Sequence, residues 1–494
     1  IMGRYNWYKN ENRIPSPYGN VASPSTSNSL PGASIQGRHT WTIGPRDLFE
    51  HHFVYGYSES GRTTPGAGFD PLQLGFAPSA VTGIRVPAFP AITANRLSPT
   101  GLAVLAVSSN RPEVYQYRAA FTRIRGNHTM KFGLDWRLLA GNIILQPPLA
   151  IGATNNFTGG PNPAAAALAS GSGIADLLLG AASVTASIVP FEQVRRPYYG
   201  AFFQDEWRLN QKLTVTYGLR YNLELAFREK DSQYAFFDLN AASPIANRVP
   251  SLPGLRGGLT YPNGAVQRAD RNNFDPRLGI AYQLNAKTVI RAGAGLFTHP
   301  APTGLDTSTG FAQRSTSVFA AADNFTPLFN LQNPFPSGPL QPTGSSLGLA
   351  TALGQNISAP LGTQRVSYSA QWSFDIQRQL PWGILVDLGY AANTAVNLYT
   401  PTNTVNFNQL GPDAQALGSQ LLQVVPNPFA GVITDPTSLL SRPTVQRGQL
   451  LRPYPQFQNV FGNAIAAGHA SYQAMQLKVE RRFSQGLAVL FAYT

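Results

Sequence analysis

A chain of 494 residues with 12% Asp, Glu, Lys and Arg is poor in charge, since soluble domains carry roughly 25%. It has no cysteine, which excludes disulfides, thiolate metal sites and cysteine nucleophiles. The formal charge of +13 does not point to nucleic acid, because Arg and Lys recur singly along the chain instead of clustering.

The chain opens Ile1-Met2-Gly3-Arg4-Tyr5-Asn6-Trp7. No basic stretch leads into an apolar one, so this is not a signal peptide; Tyr5 and Trp7 already read as a strand. Phe49, His51, Phe53, Tyr55 and Tyr57 then form an apolar row. His128, Met130, Phe132, Leu134, Trp136 and Leu138 form a second, alternating with Thr129, Lys131, Gly133, Asp135, Arg137 and Leu139. Ala164 to Val189 is apolar but is interrupted by Gly171, Gly173, Asp176 and Gly180 and follows Pro161 and Pro163. A spanning helix needs about 20 predominantly apolar residues, so the expectation here is a short helix inside a loop.

Leu213 to Leu225 carries the clearest pattern. Leu213, Val215, Tyr217, Leu219, Tyr221, Leu223 and Leu225 alternate with Thr214, Thr216, Gly218, Arg220, Asn222 and Glu224. Period two puts the two sets on opposite faces of a strand. At about 3.3 Å per residue such a strand is about 40 Å long and, tilted by about 45°, crosses most of a 30 Å hydrocarbon layer. Val366, Tyr368, Ala370, Trp372, Phe374 and Ile376 repeat the pattern against Ser367, Ser369, Gln371, Ser373, Asp375 and Gln377. Ile384, Val386, Leu388 and Tyr390 continue it against Leu385, Asp387 and Gly389.

Short turns lie at Gly44-Pro45-Arg46, Gly126-Asn127, Asn210-Gln211-Lys212, Asn285-Ala286-Lys287, Leu380-Pro381-Trp382-Gly383 and Ser484-Gln485-Gly486. Between these hairpins run long polar stretches: Ser58–Arg111, Arg228–Phe274, Thr298–Gln364 and Ala391–Ala470. Tight turns on one side and long loops on the other are the pattern of an outer-membrane barrel. The fold class is therefore all-β, a transmembrane antiparallel β-barrel, with about twelve strands in six hairpins and one or two more near the N-terminus. Trp136, Trp207, Trp372, Trp382, Tyr198 and Tyr199 are candidates for the aromatic girdles at its two borders. The positive charge suits rims and a lumen facing lipid phosphates or anionic solutes. The run from Leu487 through Phe491-Ala492-Tyr493-Thr494 stops inside a strand, so residues 1–494 are expected to be one partial barrel domain.

Tyr199-Gly200-Ala201-Phe202-Phe203-Gln204-Asp205-Glu206-Trp207, followed by Leu213-Thr214-Val215-Thr216-Tyr217-Gly218-Leu219-Arg220-Tyr221, resembles a hairpin of the Oar-like TonB-dependent receptors. Asn273-Phe274-Asp275-Pro276-Arg277-Leu278-Gly279-Ile280-Ala281-Tyr282 with Lys287-Thr288-Val289-Ile290-Arg291-Ala292-Gly293 resembles their next hairpin. Gln371–Leu380, Leu477–Phe483, His128–Gly133 and Ala175-Asp176-Leu177-Leu178-Leu179-Gly180 also fit. The resemblance implies a barrel of about 22 strands closed by an N-terminal plug. It also implies energy delivered through the TonB complex and, in many members, a preceding carboxypeptidase-regulatory-like domain. The plug, the TonB box and that domain are expected outside this fragment. Expected partners are outer-membrane lipid and lipopolysaccharide, the TonB complex and an unidentified solute, with no nucleic acid.

No enzyme chemistry, cofactor or metal is expected. Asp205 and Glu206 are neighbours in a strand and point to opposite faces, so they cannot act as a paired acid and base; rim and lumen hydrogen bonding is expected of them. His51-His52 fails as a metal site for the same reason. Gly293-Ala294-Gly295 sits in a strand, where Gly relieves crowding inside a barrel. Substrate-binding residues are not identified. Two other functions fit the same pattern: a passive porin, and an adhesive or structural surface protein.

Overall fold

The computed structural model describes residues 1–494 apart from 16–18, 24, 96–106, 160–169, 302–308, 321–325, 364, 402–403, 436–437 and 485–486. Thirteen strands follow one another in chain order as a single meander. They are β1 (Met2–Arg13), β2 (Ser27–Gly44), β3 (Asp47–Ser58), β4 (Val107–Arg125), β5 (His128–Gln146), β6 (Glu192–Arg208) and β7 (Leu213–Glu224). β8 (Phe274–Asn285), β9 (Thr288–His299), β10 (Ser367–Gln379), β11 (Ile384–Tyr399), β12 (Ala466–Ser484) and β13 (Leu487–Tyr493) complete it. Every neighbouring pair is antiparallel. Among the described residues no helix is long and apolar enough to cross a membrane; crossing is by strands.

Five of the expected turns join β2 to β3, β4 to β5, β6 to β7, β8 to β9 and β10 to β11. At the sixth, Gln485 and Gly486 lie outside the described residues. Side-chain alternation also holds. On β7, Tyr217 and Leu219 stand exposed on the outer face while Asn222 and Glu224 are buried on the inner one. On β10, Tyr368, Trp372 and Phe374 are exposed whereas Ser367 and Ser369 are buried. A face that buries Ser and Asn and exposes Leu and Phe inverts the order of a soluble protein. It is the arrangement required when the outer solvent is lipid.

Some boundaries differ from the pattern-based expectation. Leu225 lies beyond the last residue of β7, and Val366 precedes β10 and is buried at 3% exposure. β4 and β5 run for 19 residues each, about 60 Å at the usual rise. They therefore stand well clear of a hydrocarbon layer about 30 Å thick on the long-loop side.

The long connections are not merely polar. A four-stranded sheet joins Ala91–Ala94, Ala150–Ala153, Ser183–Ile188 and Gln313–Ser317. Helix α1 (Gly173–Leu178) precedes its third strand, which fits the short helix expected in that run; residues 164–169 lie outside the described part. Asp176 on α1 is fully buried and accepts bonds from the Phe157 and Thr158 amides and the Thr158 hydroxyl. Of the four apolar clusters among the described residues, three lie wholly within these connections. One contains Leu149, Ile151, Val184 and Phe335; another Phe237, Leu259, Ile357, Phe457 and Val460; the third Val249, Leu255, Phe429 and Leu440. Each such side chain contributes about 1.5–3 kcal/mol on burial. The hydrophobic core of this protein thus lies in its loops.

Candidate functional site

Two features of the fold can meet a solute: the inner wall of the meander and the floor of the loop layer. The wall is built by register. β4 to β8 place Gln116, Asp135, Arg137, Tyr198, Arg220, Asn222 and Asp275 on the inner face, where they join into one network. Asp135 accepts from Gln116 Nε2 at 3.0 Å, Arg220 Nη2 at 2.9 Å and Arg137 Nη2 at 3.4 Å. Arg220 also donates to the Tyr198 hydroxyl at 2.7 Å and, through Nε, to Asn222 Oδ1 at 2.8 Å. Asn222 Nδ2 passes the chain on to Asp275 at 2.7 Å, and Thr298 closes it with its hydroxyl at 2.6 Å and its amide at 3.2 Å. Arg137 stacks over Tyr198, its guanidinium carbon 4.1 Å from the ring centroid.

Higher on the wall, Arg196 is 1% exposed. It donates from Nη1 to the Ala301 carbonyl at 2.9 Å and to Glu224 at 3.4 Å, and stacks 3.6 Å over Phe227. Glu224 in turn accepts the Ala301 amide at 2.9 Å. One buried ion pair thereby pins the connection after β9 to the wall.

Above Arg196 a cavity of about 640 Å³ opens between wall and loops, within the usual range for a ligand pocket. Phe236, Leu361, Phe407 and Ile465 give it apolar sides, and Asp238, Gln267, Arg268 and Arg365 give it polar ones. Its walls are fixed by long-range bonds. The Tyr399 hydroxyl donates to the Arg365 carbonyl at 2.6 Å, Gln267 Nε2 donates to the Leu361 carbonyl at 2.7 Å, and the Phe237 amide donates to the Pro360 carbonyl at 2.8 Å. Tyr454 packs edge-on against Phe237 behind this wall, and burial pushes its hydroxyl above the ordinary tyrosine pKa.

Residues singled out in the sequence fall as follows. Asp205 points to the outer face, where it meets His128 Nδ1 at 2.6 Å and the Tyr217 hydroxyl at 2.9 Å. Glu206 points inward and pairs with Arg208 at 3.6 Å. The two acids are thus separated by the sheet. His51 bonds Tyr117 on the outer face at 2.7 Å, while His52 lies across from Arg118 on the inner one. Among the described residues no group of three or more His, Cys, Asp or Glu could hold a metal. Gly295 makes room for Arg277, which stacks 4.6 Å over Phe297.

The aromatic positions divide. Trp207 lies beside a short turn, Trp382 lies within one, and Tyr199 is exposed on the outer face, as girdle residues should be. Trp136 and Trp372 lie in the middle of their strands. Tyr198 faces inward into the Arg220 network, so it is no girdle residue. The loop cavity had no local signal in the sequence, because its sides come from three separate connections, those after β7, β9 and β11.

The family model described as an outer membrane beta barrel domain matches residues 1–494. Among solved structures the chain is similar to the outer membrane transporter YddB from Escherichia coli, at 8% identity and a TM-score of 0.48 over 97% of this chain and 42% of that one. It is similar to the FrpB iron transporter from Neisseria meningitidis, at 11% identity and a TM-score of 0.37 over 94% and 43%. It is also similar to the Serratia marcescens hemophore receptor HasR in complex with its hemophore HasA and heme, at 11% identity and a TM-score of 0.40 over 97% and 49%. The chain spans less than half the length of these three structures. No curated protein matches its sequence.

Proposed function

Since this chain belongs to the outer membrane beta barrel domain family and resides in the outer membrane, we propose that it is the barrel of an Oar-like TonB-dependent receptor. In this reading it takes up a large or scarce solute, with a plug and a TonB-contacting segment supplied by other parts of the protein. The observation that carries the proposal is the layered interior: a charged, hydrogen-bonded wall beneath a folded loop layer with a cavity of about 640 Å³. A loop layer with its own apolar clusters holds a binding surface in shape, which a receptor needs and a simple sieve does not. The wall carries both signs of charge and many donors and acceptors, so a folded plug can bond to it.

The test is solute uptake in cells with and without TonB, together with single-channel conductance of the purified full-length protein. The expected result is uptake that stops without TonB and a closed channel at rest. Uptake that persists without TonB, with a large constitutive conductance, makes the protein a passive porin and ends the receptor reading.

A further inference from the structure

The inner face of β1 to β8 contains a second recess, of about 650 Å³, lower on the wall than the loop cavity. The wall carries no side chain at Gly218, which lines the recess, or at Gly133 beside it, for a steric reason. Ala120 and Gly133 are cross-strand neighbours, as are Gly133 and Phe202, and Gln204 and Gly218. A Cβ on Gly133 would clash with the Ala119 carbonyl oxygen and lie 2.8 Å from the Phe202 ring. A Cβ on Gly218 would lie 2.8 Å from the Phe203 carbonyl oxygen. With no side chain at either position, Phe202 lies against the wall and the recess stays open.

Cations surround this recess: Arg38, Arg118, Lys131, Arg220 and Arg277, with His52 beside them. Among the described residues two carboxylates form ion pairs with them. Glu50 pairs with Arg38 and with Lys131, the latter at 3.1 Å. Asp135 pairs with Arg220 at 2.9 Å and stands 3.9 Å from Arg118. Arg277 stacks on Phe297, and no ion pair to it occurs among the described residues. Five positive groups against two negative ones leave a positive excess in a concave site, where field lines concentrate and draw in counter-charge. Guanidinium groups offer paired donors that match carboxylate and phosphate geometry.

We propose that this recess binds a polyvalent anion, a carboxylate- or phosphate-bearing solute, on its way through the barrel. The proposal rests on the receptor-transporter reading and narrows its solute to an anionic class. The test is calorimetric titration of detergent-solubilised full-length protein with citrate and with inorganic pyrophosphate, using spermidine as the opposite charge. Arg277→Gln and Arg118→Gln are the variants, because neither removes the main partner of a carboxylate. Retained heat-modifiable gel mobility shows that each variant still folds.

Citrate or pyrophosphate is expected to bind, more weakly as salt rises, and spermidine is not. Each variant should weaken binding by about tenfold, the usual weight of one charge-assisted bond. Three results overturn the proposal: no anion binding by the folded protein, as when an acidic stretch of its own polypeptide fills the recess; unchanged affinity in both variants; or equal binding of spermidine. The titration needs no energy source, so its failure is distinguishable from failure of the TonB-dependent uptake test.

Discussion

Replacing Leu219 by Lys tests the inside-out reading of the strand faces directly. Leu219 is 47% exposed on the outer face, at the middle of β7 between Phe203 and Pro276. A cation facing lipid at the bilayer midplane costs about 2–4 kcal/mol, which lowers the folding equilibrium roughly 30-fold to several hundred-fold. The inward control must be chosen from the structure. Alternation alone offers Gly218 and Asn222. At Gly218, however, any side chain meets the Phe203 backbone, and Asn222 is a link in the Arg220–Asp275 network. Thr216 is the sound control, since it faces inward across from Glu206 and Gly279. Lys at Thr216 can reach Glu206, and its expected effect is within about 0.5 kcal/mol, as for an ordinary exposed substitution. The assay is urea titration of folding into phospholipid bilayers, read by tryptophan fluorescence and by gel mobility without boiling. Equal destabilisation by Leu219→Lys and Thr216→Lys would refute the assignment of the outer face to lipid.

Asp135→Ala should lower stability by about 1.5–3 kcal/mol, because it removes the buried carboxylate to which half-buried Arg220 donates; the urea midpoint of the same titration measures this. Arg196→Leu should release the connection after β9 by leaving Glu224 without its cation, and limited proteolysis should then cut that connection while the barrel keeps its folded mobility. Phe429→Ala removes a fully buried ring from a loop cluster and should cost about 3–5 kcal/mol. That loss should fall on the loop layer, seen as faster amide exchange across residues 245–255 with the strand core still protected.

The strands were legible in the sequence because their faces are set by a local rule. Adjacent residues point to opposite sides of any extended chain, so Leu213 through Glu224 announces two faces without knowledge of its neighbours. The turns were legible too, since Gly44-Pro45-Arg46 and Gly126-Asn127 use residues suited to tight reversal. Even the separation of Asp205 from Glu206 follows from that parity. What no local pattern could supply was the partnership across strands. Asp135 lies 85 positions from Arg220 in the chain and 2.9 Å from it in space; only the register of β5, β6 and β7 brings them together. Likewise Phe237 and Phe457, whose rings lie 5.8 Å apart, come from connections that read as polar loops. Irregular backbone has no fixed side-chain period, so its buried positions carry no repeating signature. The sequence by itself therefore determined a strand meander with a lipid face, a polar face and a sided arrangement of loops. The tertiary structure alone decided which charges pair on the inner wall, where the wall is hollow, and that the hydrophobic core lies in the loops, because those depend on contacts between residues that sequence distance does not relate.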